Sequence, residues 1–283
     1  SEQFDMTEDT AKKAVALAFQ SPSNSIKIEF QGGEPLLNFP IIKFIVEESL
    51  ELNKTENRIL QFVITTNLTY LSEEVLAFCK QHEVYISTSL DGPESIHNKN
   101  RPRPKKDGYQ KTIQGIKNIQ SYLGADKVAA LMTTTAESLS YLKEIVDEYV
   151  KNDLHTIFLR PLSPYGFAIK TKQVEKYNAD KWSNFYKEGL EYIIELNRAG
   201  YFIKEQYTSI ILAKILTPTN PRYVDLQSPS GIGISAIVYN YDGDVYASDE
   251  ARMLKEMGDE KFKLGNVHKD IYEDILTSDV LLD

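Results

Sequence analysis

Ile26-Lys-Ile-Glu-Phe-Gln-Gly-Gly-Glu-Pro-Leu36 decides the fold. From Ile26 to Gln31 apolar and polar residues alternate, the period of two that marks a strand. Two glycines break the alternation, and Pro35 fixes the exit. A helical period follows from Phe39 to Leu52, with Ile42, Ile45, Val46 and Ser49 on one side. Working outward, the same rhythm recurs. A helix over 6–19 precedes the strand; strands over 60–65, 84–90, 128–133 and 156–159 alternate with helices over 72–81, 109–123 and 139–151. Strands joined by helical crossovers run parallel, so the expected result is an α/β fold, either an open doubly wound sheet or a barrel.

Beyond Pro161-Leu-Ser-Pro164 the rhythm changes. Val174 to Arg198 and Gln206 to Leu216 read as helices, the second closed by Pro218 and Pro221. From Ile234 the pattern is β again, and Tyr241-Asp-Gly-Asp244 is a strong hairpin signal. The expected division is a βα portion over 1–165, a helical connector over 166–228 and a small α+β module over 229–283.

Composition narrows the function. The 283 residues carry 32 basic and 41 acidic side chains, a net charge of −9, which argues against general binding to nucleic acid. No apolar run is long enough to span a membrane, and Ser1-Glu-Gln-Phe-Asp5 has no signal-peptide character, so a cytoplasmic protein is expected. The lone Cys79 excludes an internal disulfide or a multi-cysteine metal site built from these residues. It lies mid-helix and reads as a core thiol. The four histidines show no helical ligand spacing, and Asp242 and Asp244 read as hairpin residues. Trp182, Phe185, Tyr186 and Tyr192 have the spacing of a buried helix face.

Strand parity is more telling. With Ile26, Ile28 and Phe30 packed on helices, Lys27, Glu29 and Gln31 face the other way. The same rule turns Gln61, Val63, Thr65 and Asn67 inward on the next strand, then Tyr85, Ser87, Ser89 and Asp91, and finally Thr156, Phe158 and Arg160. A structural barrel would fill that volume with Val, Ile and Leu. A polar interior, weighted towards the carboxyl ends, points to a binding site. Gly32-Gly-Glu-Pro35 can expose backbone carbonyls and a carboxylate to a ligand ammonium, or be an ordinary strand-to-helix turn. Thr65-Thr-Asn67 and Ser87-Thr-Ser-Leu-Asp-Gly-Pro93 offer hydroxyls and an amide to a carboxylate or ribose, yet each alone is routine turn chemistry.

Taken together, Gln31-Gly-Gly-Glu-Pro-Leu36, Thr65-Thr-Asn67 and Ser89-Leu-Asp-Gly-Pro93 with His97 and Arg101-Pro102 resemble the radical S-adenosylmethionine superfamily. The likeness is greatest to its peptide- and sulfatase-maturing branch. Asn240-Tyr-Asp-Gly-Asp-Val-Tyr246, Asp249 to Leu254 and Leu264 to Val267 resemble the SPASM-like region of peptide-modifying members, most of all maturases of His-Xaa-Ser peptide systems. The resemblance implies a partial (β/α)6 TIM-like barrel lacking its first strand here, followed by the helical connector and an incomplete SPASM-like module. It implies S-adenosylmethionine and a [4Fe–4S] cluster as cofactors, and a 5′-deoxyadenosyl radical that takes hydrogen from a ribosomally made peptide or protein. A reductant such as flavodoxin or ferredoxin would supply the electron. Gly32, Gly33 and Glu34 would bind the methionine ammonium, and Pro35 would shape the turn. Thr65, Asn67 and Ser89 would hold the carboxylate or ribose, and Arg160 would reach the cofactor rim.

The family's three cluster cysteines, spaced Cys-x3-Cys-x2-Cys, have no counterpart here. The expectation is that residue 1 falls just after the third of them, so that these residues are a fragment, inactive alone. Ser230-Gly231 and Ala247-Ser248 stand where auxiliary-cluster cysteines would be sought. A cluster-less relative serving as a peptide-binding scaffold is the alternative. An aldolase-like barrel has only Lys27 for a lumenal amine, and Pro161-Leu-Ser-Pro164 is no phosphate loop. Lys99, Arg101, Arg103, Lys105 and Lys106 crowd one Pro-broken loop: either a solvated loop, or a contact for an acidic leader peptide or the cofactor carboxylate.

Overall fold

The computed structural model describes residues 4–162, 178–218, 223–226 and 231–282. Its helices and strands begin with α1 (Glu8–Ala18), β1 (Ser25–Phe30), α2 (Phe39–Glu56), β2 (Ile59–Thr65), α3 (Glu73–Gln81) and β3 (Tyr85–Ser89). Next come α4 (Glu94–Asn100), α5 (Gly108–Tyr122), β4 (Val128–Leu131), α6 (Leu142–Lys151), β5 (Thr156–Ile157), α7 (Ala179–Arg198), β6 (Lys204–Glu205) and α8 (Gln206–Leu216). The last are β7 (Val238–Tyr239), β8 (Asp244–Tyr246), α9 (Asp249–Lys255), β9 (Lys263–Asn266), α10 (Tyr272–Leu276) and α11 (Asp279–Leu282). Among the described residues no helix is long and apolar enough to cross a membrane.

Two compact units share the chain. One comprises Ser1–Phe30, Pro35–Phe62 and Arg222–Asp283; the other comprises Gln31–Glu34 and Val63–Pro221. In the first, Thr7 caps α1 by accepting the Thr10 N–H at 3.2 Å. The helix buries Ala11, Ala14, Val15 and Leu17, and β1 lies beside β2. Ala14 and Leu17 join Val245, Ala247, Leu264, Val267 and Ile275 in one apolar core. The antiparallel strands β7, β8 and β9 carry much of it, and the Asp-Gly hairpin stands between β7 and β8 as its composition predicts. The expected strand from Ile234 is shorter: β7 spans two residues, and Ile234 is 74% exposed. Ser230 lies outside the described residues.

Asp244 on β8 anchors this unit. Its carboxylate accepts from Lys263 Nζ at 2.6 Å, Asn266 Nδ2 at 2.8 Å and Lys255 Nζ at 3.1 Å. Burial alone would raise its pKa, but those donors outweigh it and hold the carboxyl down to about 2. A depressed carboxylate stabilises the fold above its unfolded pKa, near 3.8, and that contribution is lost as pH falls through about 2. The expected outcome is a loss of about 2 kcal/mol between those pH values, absent in Asp244→Asn. Urea unfolding of both proteins across that range measures it; parallel pH slopes would contradict it.

In the second unit β2, β3 and β4 are successive parallel neighbours, with Thr65 beside Ser87 and Ser89 beside Leu131. Helices α3, α5 and α6 return the chain between or after them, each burying an apolar face. The alternation read from the sequence thus gives four strands in order. The fifth departs from it. Only Thr156 and Ile157 form β5, which pairs in parallel with β6, inside the stretch expected to be purely helical. Glu205 explains the pairing. It is buried, and its carboxylate accepts the Leu159 N–H at 3.1 Å, the Tyr186 hydroxyl at 2.8 Å and the Thr208 N–H at 2.6 Å, the last capping α8. A two-residue strand has no period to read, so nothing in the pattern announces it. The expected helix from Val174 begins, among the described residues, at Ala179, and residues 163–177 lie outside them.

Candidate active site

The Gly-Gly turn and the end of β2 meet through one carboxylate. Glu34 Oε1 accepts the Thr66 hydroxyl at 2.7 Å, and Oε2 accepts the Asn67 N–H at 2.9 Å. Thr66 Oγ1 in turn accepts the Leu68 N–H at 3.1 Å, holding Leu68 at a φ of 62°, and Asn67 Oδ1 accepts the Thr69 N–H at 2.9 Å. Gly32 has a φ of +137°, a conformation L side chains rarely take. Among the described residues, none beyond their chain neighbours has an atom within 4 Å of where a Cβ would stand on Gly32 or Gly33, so a ligand can approach this backbone closely. Pro35 starts a short 3₁₀ turn, Pro35–Asn38, that leads into α2.

Thr65 and Ser87 are register partners on parallel strands, so their side chains share one face, and Ser89 is the next residue on it. Of the eight expected residues, Glu34 and Asn67 are therefore joined by a hydrogen bond, and Gly32 and Gly33 precede Glu34 in the chain. Pro35 follows in chain, while Thr65 and Ser89 share a sheet face. Arg160 stands apart. Its side chain is exposed, and its carbonyl accepts the Thr134 hydroxyl beyond β4.

Beyond β3 the chain builds a buried polar brace. Asp91 has no exposed surface; its carboxylate accepts Arg101 Nε at 2.9 Å, Arg101 Nη2 at 3.3 Å and the Thr133 N–H at 2.9 Å. Gly92 has a φ of +124°, and a Cβ there would lie 2.7 Å from Ile145 Cγ1. Burial lowers the His97 pKa despite the Asp91 charge, so its imidazole is neutral: Nδ1 accepts the Asp91 N–H at 3.4 Å. Tyr149, fully buried and with its pKa raised by that burial, donates to the Leu90 carbonyl at 2.8 Å. Asp91 and His97 therefore hold the strand end in place instead of facing a ligand. Thr66 and Thr133 are residues the parity reading does not single out, and both lie beyond the ends of their strands, where alternation stops applying.

Exposed glycine backbone beside a fixed carboxylate, with strand-end hydroxyls on a shared face, suits a zwitterionic ligand carrying an ammonium and hydroxyls. A thiolate-bound cluster is another matter. Cys79, the one cysteine in the sequence, is buried within α3, where desolvation pushes its thiol up to about 12, and a single thiol cannot hold a cluster. Among the described residues no group of three or more His, Cys, Asp or Glu is placed to hold a metal ion.

The family model described as the radical SAM superfamily matches residues 2–158. The chain belongs to the radical SAM superfamily. Members of this superfamily use S-adenosylmethionine and a [4Fe–4S] cluster. Over 163 residues this radical SAM chain is 31% identical to the uncharacterized protein MJ0907 of Methanocaldococcus jannaschii, covering 56% of this chain and 54% of that protein. It thus spans about half the length of that relative. A cysteine-type anaerobic sulfatase-maturating enzyme of Clostridium novyi is 23% identical over 276 residues, covering 94% of this chain and 68% of that enzyme. Among solved structures, native anSMEcpe with bound AdoMet and Cp18Cys peptide superposes with a TM-score of 0.79 at 19% identity, covering 98% of this chain and 74% of that one. The radical SAM TIM-like α/β fold expected from the motifs is the fold of this chain.

Proposed function

We propose that this chain is part of a radical S-adenosylmethionine maturase that modifies a ribosomally made peptide or protein. The observation that carries the reading is the Glu34 clamp, which fixes an open Gly-Gly backbone and a carboxylate against the end of β2. Gly32, Gly33 and Glu34 would receive the methionine ammonium, with Pro35 setting the exit. Thr65, Asn67 and Ser89 would hold the carboxylate or ribose, and Arg160 would stand at the rim. When bound and reductively cleaved, S-adenosylmethionine supplies a carbon radical able to take hydrogen from an unactivated C–H bond. The chain's own task is to bind and orient: charge-assisted hydrogen bonds at the turn fix one end of the cofactor, and neutral hydroxyls fix the rest. The likeness to sulfatase-maturating enzymes, and to a structure holding both AdoMet and a peptide, supports a peptide or protein substrate. Residues 240–267 are the ground for a place near the His-Xaa-Ser maturases.

With one cysteine, these residues do not fit the [4Fe–4S] cluster, so the reading takes its ligands from outside these 283 residues. It also takes a low-potential electron from a flavodoxin or ferredoxin, which sets the reaction in the cytoplasm. The single buried cysteine favours one rival, a cluster-less scaffold that only binds peptide. Anaerobic reconstitution of the full-length protein, followed by reduction in the presence of S-adenosylmethionine, separates the two. Formation of 5′-deoxyadenosine is the expected result, and its absence would leave the scaffold.

A further inference from the structure

The geometry points to a docking surface for an acidic peptide on the loop between α4 and α5, formed around Arg103, Lys105 and Lys111. This deepens the maturase reading and rests on it, since the occupant is an acidic stretch of the precursor peptide. Residues 99–111 hold six basic side chains and one acidic one, in a chain whose net charge is −9. Half of those cations are already used. Lys99 pairs with Glu137, Arg101 with Asp91, and Arg103 with Asp107 at 3.1 Å. Lys105, Lys106 and Lys111 are exposed and form no ion pair among the described residues. A cavity of about 260 Å³ opens here, lined by Arg103, Pro104, Lys105, Asp107 and Lys111.

The loop is held in shape before any partner arrives. Pro102 and Pro104 fix two φ angles. Asn98 on α4 ties down the far end of the loop, donating to the Lys106 carbonyl at 3.0 Å and accepting the Tyr109 N–H at 2.8 Å. Arg103 Nη1 donates to Thr69 Oγ1 at 2.6 Å, and the Thr69 N–H donates to Asn67, whose own N–H holds Glu34. That relay sets the basic loop beside the candidate cofactor turn. A preorganised surface loses little entropy on binding.

The chemistry favours separate carboxylates over phosphate. Bidentate phosphate recognition is the work of a guanidinium fork, and Arg103 already spends Nε on Asp107 and Nη1 on Thr69. Lys105 and Lys111 remain as separate point charges, matched by acidic side chains spaced along an extended peptide.

The test measures fluorescence anisotropy of dye-labelled peptides of equal length, one Asp/Glu-rich and one Lys-rich, with the full-length protein. The acidic peptide should bind at least about tenfold more tightly at low salt, the difference shrinking as the Debye length falls. Lys105→Glu/Lys111→Glu should lose about tenfold of that affinity, while Lys12→Glu/Lys117→Glu, an equal charge change elsewhere, loses less than about twofold. Equal losses in both double variants would reduce the effect to net charge and overturn the surface. Tighter binding of a single-stranded oligonucleotide of matched charge through the same lysines would overturn the peptide assignment. S-adenosylmethionine binding, measured in parallel by equilibrium dialysis, keeps the two readings apart. Its loss in the wild type with acidic-peptide binding intact fells the maturase and leaves the surface; the reverse fells the surface alone.

Discussion

Arg101→Met should cost the second unit about 3 kcal/mol or more, the largest loss expected from any one side chain outside the apolar core. The methionine keeps the packing of the arginine stem but removes both guanidinium bonds to Asp91. Asp91 would then hold a fully buried charge on a single backbone donor, the Thr133 N–H. The converse, Asp91→Ala, should cost less, because Arg101 is 38% exposed and can turn its charge to water. That asymmetry is the distinctive part of the prediction. The double variant should fall well short of the sum of the singles, since the first change has already removed what the second would break. Urea unfolding followed by the fluorescence of Trp182, the chain's one tryptophan and a member of this unit, gives all three values. Equal losses below about 1 kcal/mol in both single variants would make the pair a surface ion pair in energetic terms, and the brace a misreading.

The brace also shows where sequence reading stops. Alternation located β1 to β4 because each has at least four residues with one face packed on helices. β5 and β6 have two residues each and are placed by the Glu205 carboxylate, a tertiary contact that no local pattern encodes. Pro93 reads as part of a turn, yet it also stands at the N-cap of α4, which carries His97 and leads to Arg101. The motifs Gly32-Gly-Glu34 and Thr65-Thr-Asn67 were legible as strand-end chemistry. That they are joined through Thr66 was not, because parity assigns Thr66 to the opposite face and the strand ends one residue before it. Asp91 reads as an inward polar group, and it is fully buried, but Arg101 and Thr133 claim it.

Thr66 supplies the second large effect, read through Glu34. Glu34→Gln should weaken S-adenosylmethionine binding by roughly 10- to 150-fold, the worth of one hydrogen bond to a charged group, about 1.5–3 kcal/mol. Thr66→Val removes the donor that holds Oε1 and the acceptor that holds the Leu68 N–H, leaving that N–H buried and unmet. The carboxylate keeps its charge but loses one of the bonds that fix its direction, so the expected loss is about 1 kcal/mol, or roughly fivefold. Thr66→Ser retains the hydroxyl and should bind nearly as the wild type does. Isothermal titration of anaerobic protein with S-adenosylmethionine reads all three variants without requiring turnover. Wild-type affinity in Glu34→Gln would remove the turn from the cofactor site. Wild-type affinity in Thr66→Val alone would keep Glu34 as a ligand and deny that its orientation matters. Glu34→Gln/Thr66→Val decides between direct and indirect action. If Thr66 acts only by aiming the carboxylate, its removal costs little once that charge is gone, and the double variant binds as Glu34→Gln does.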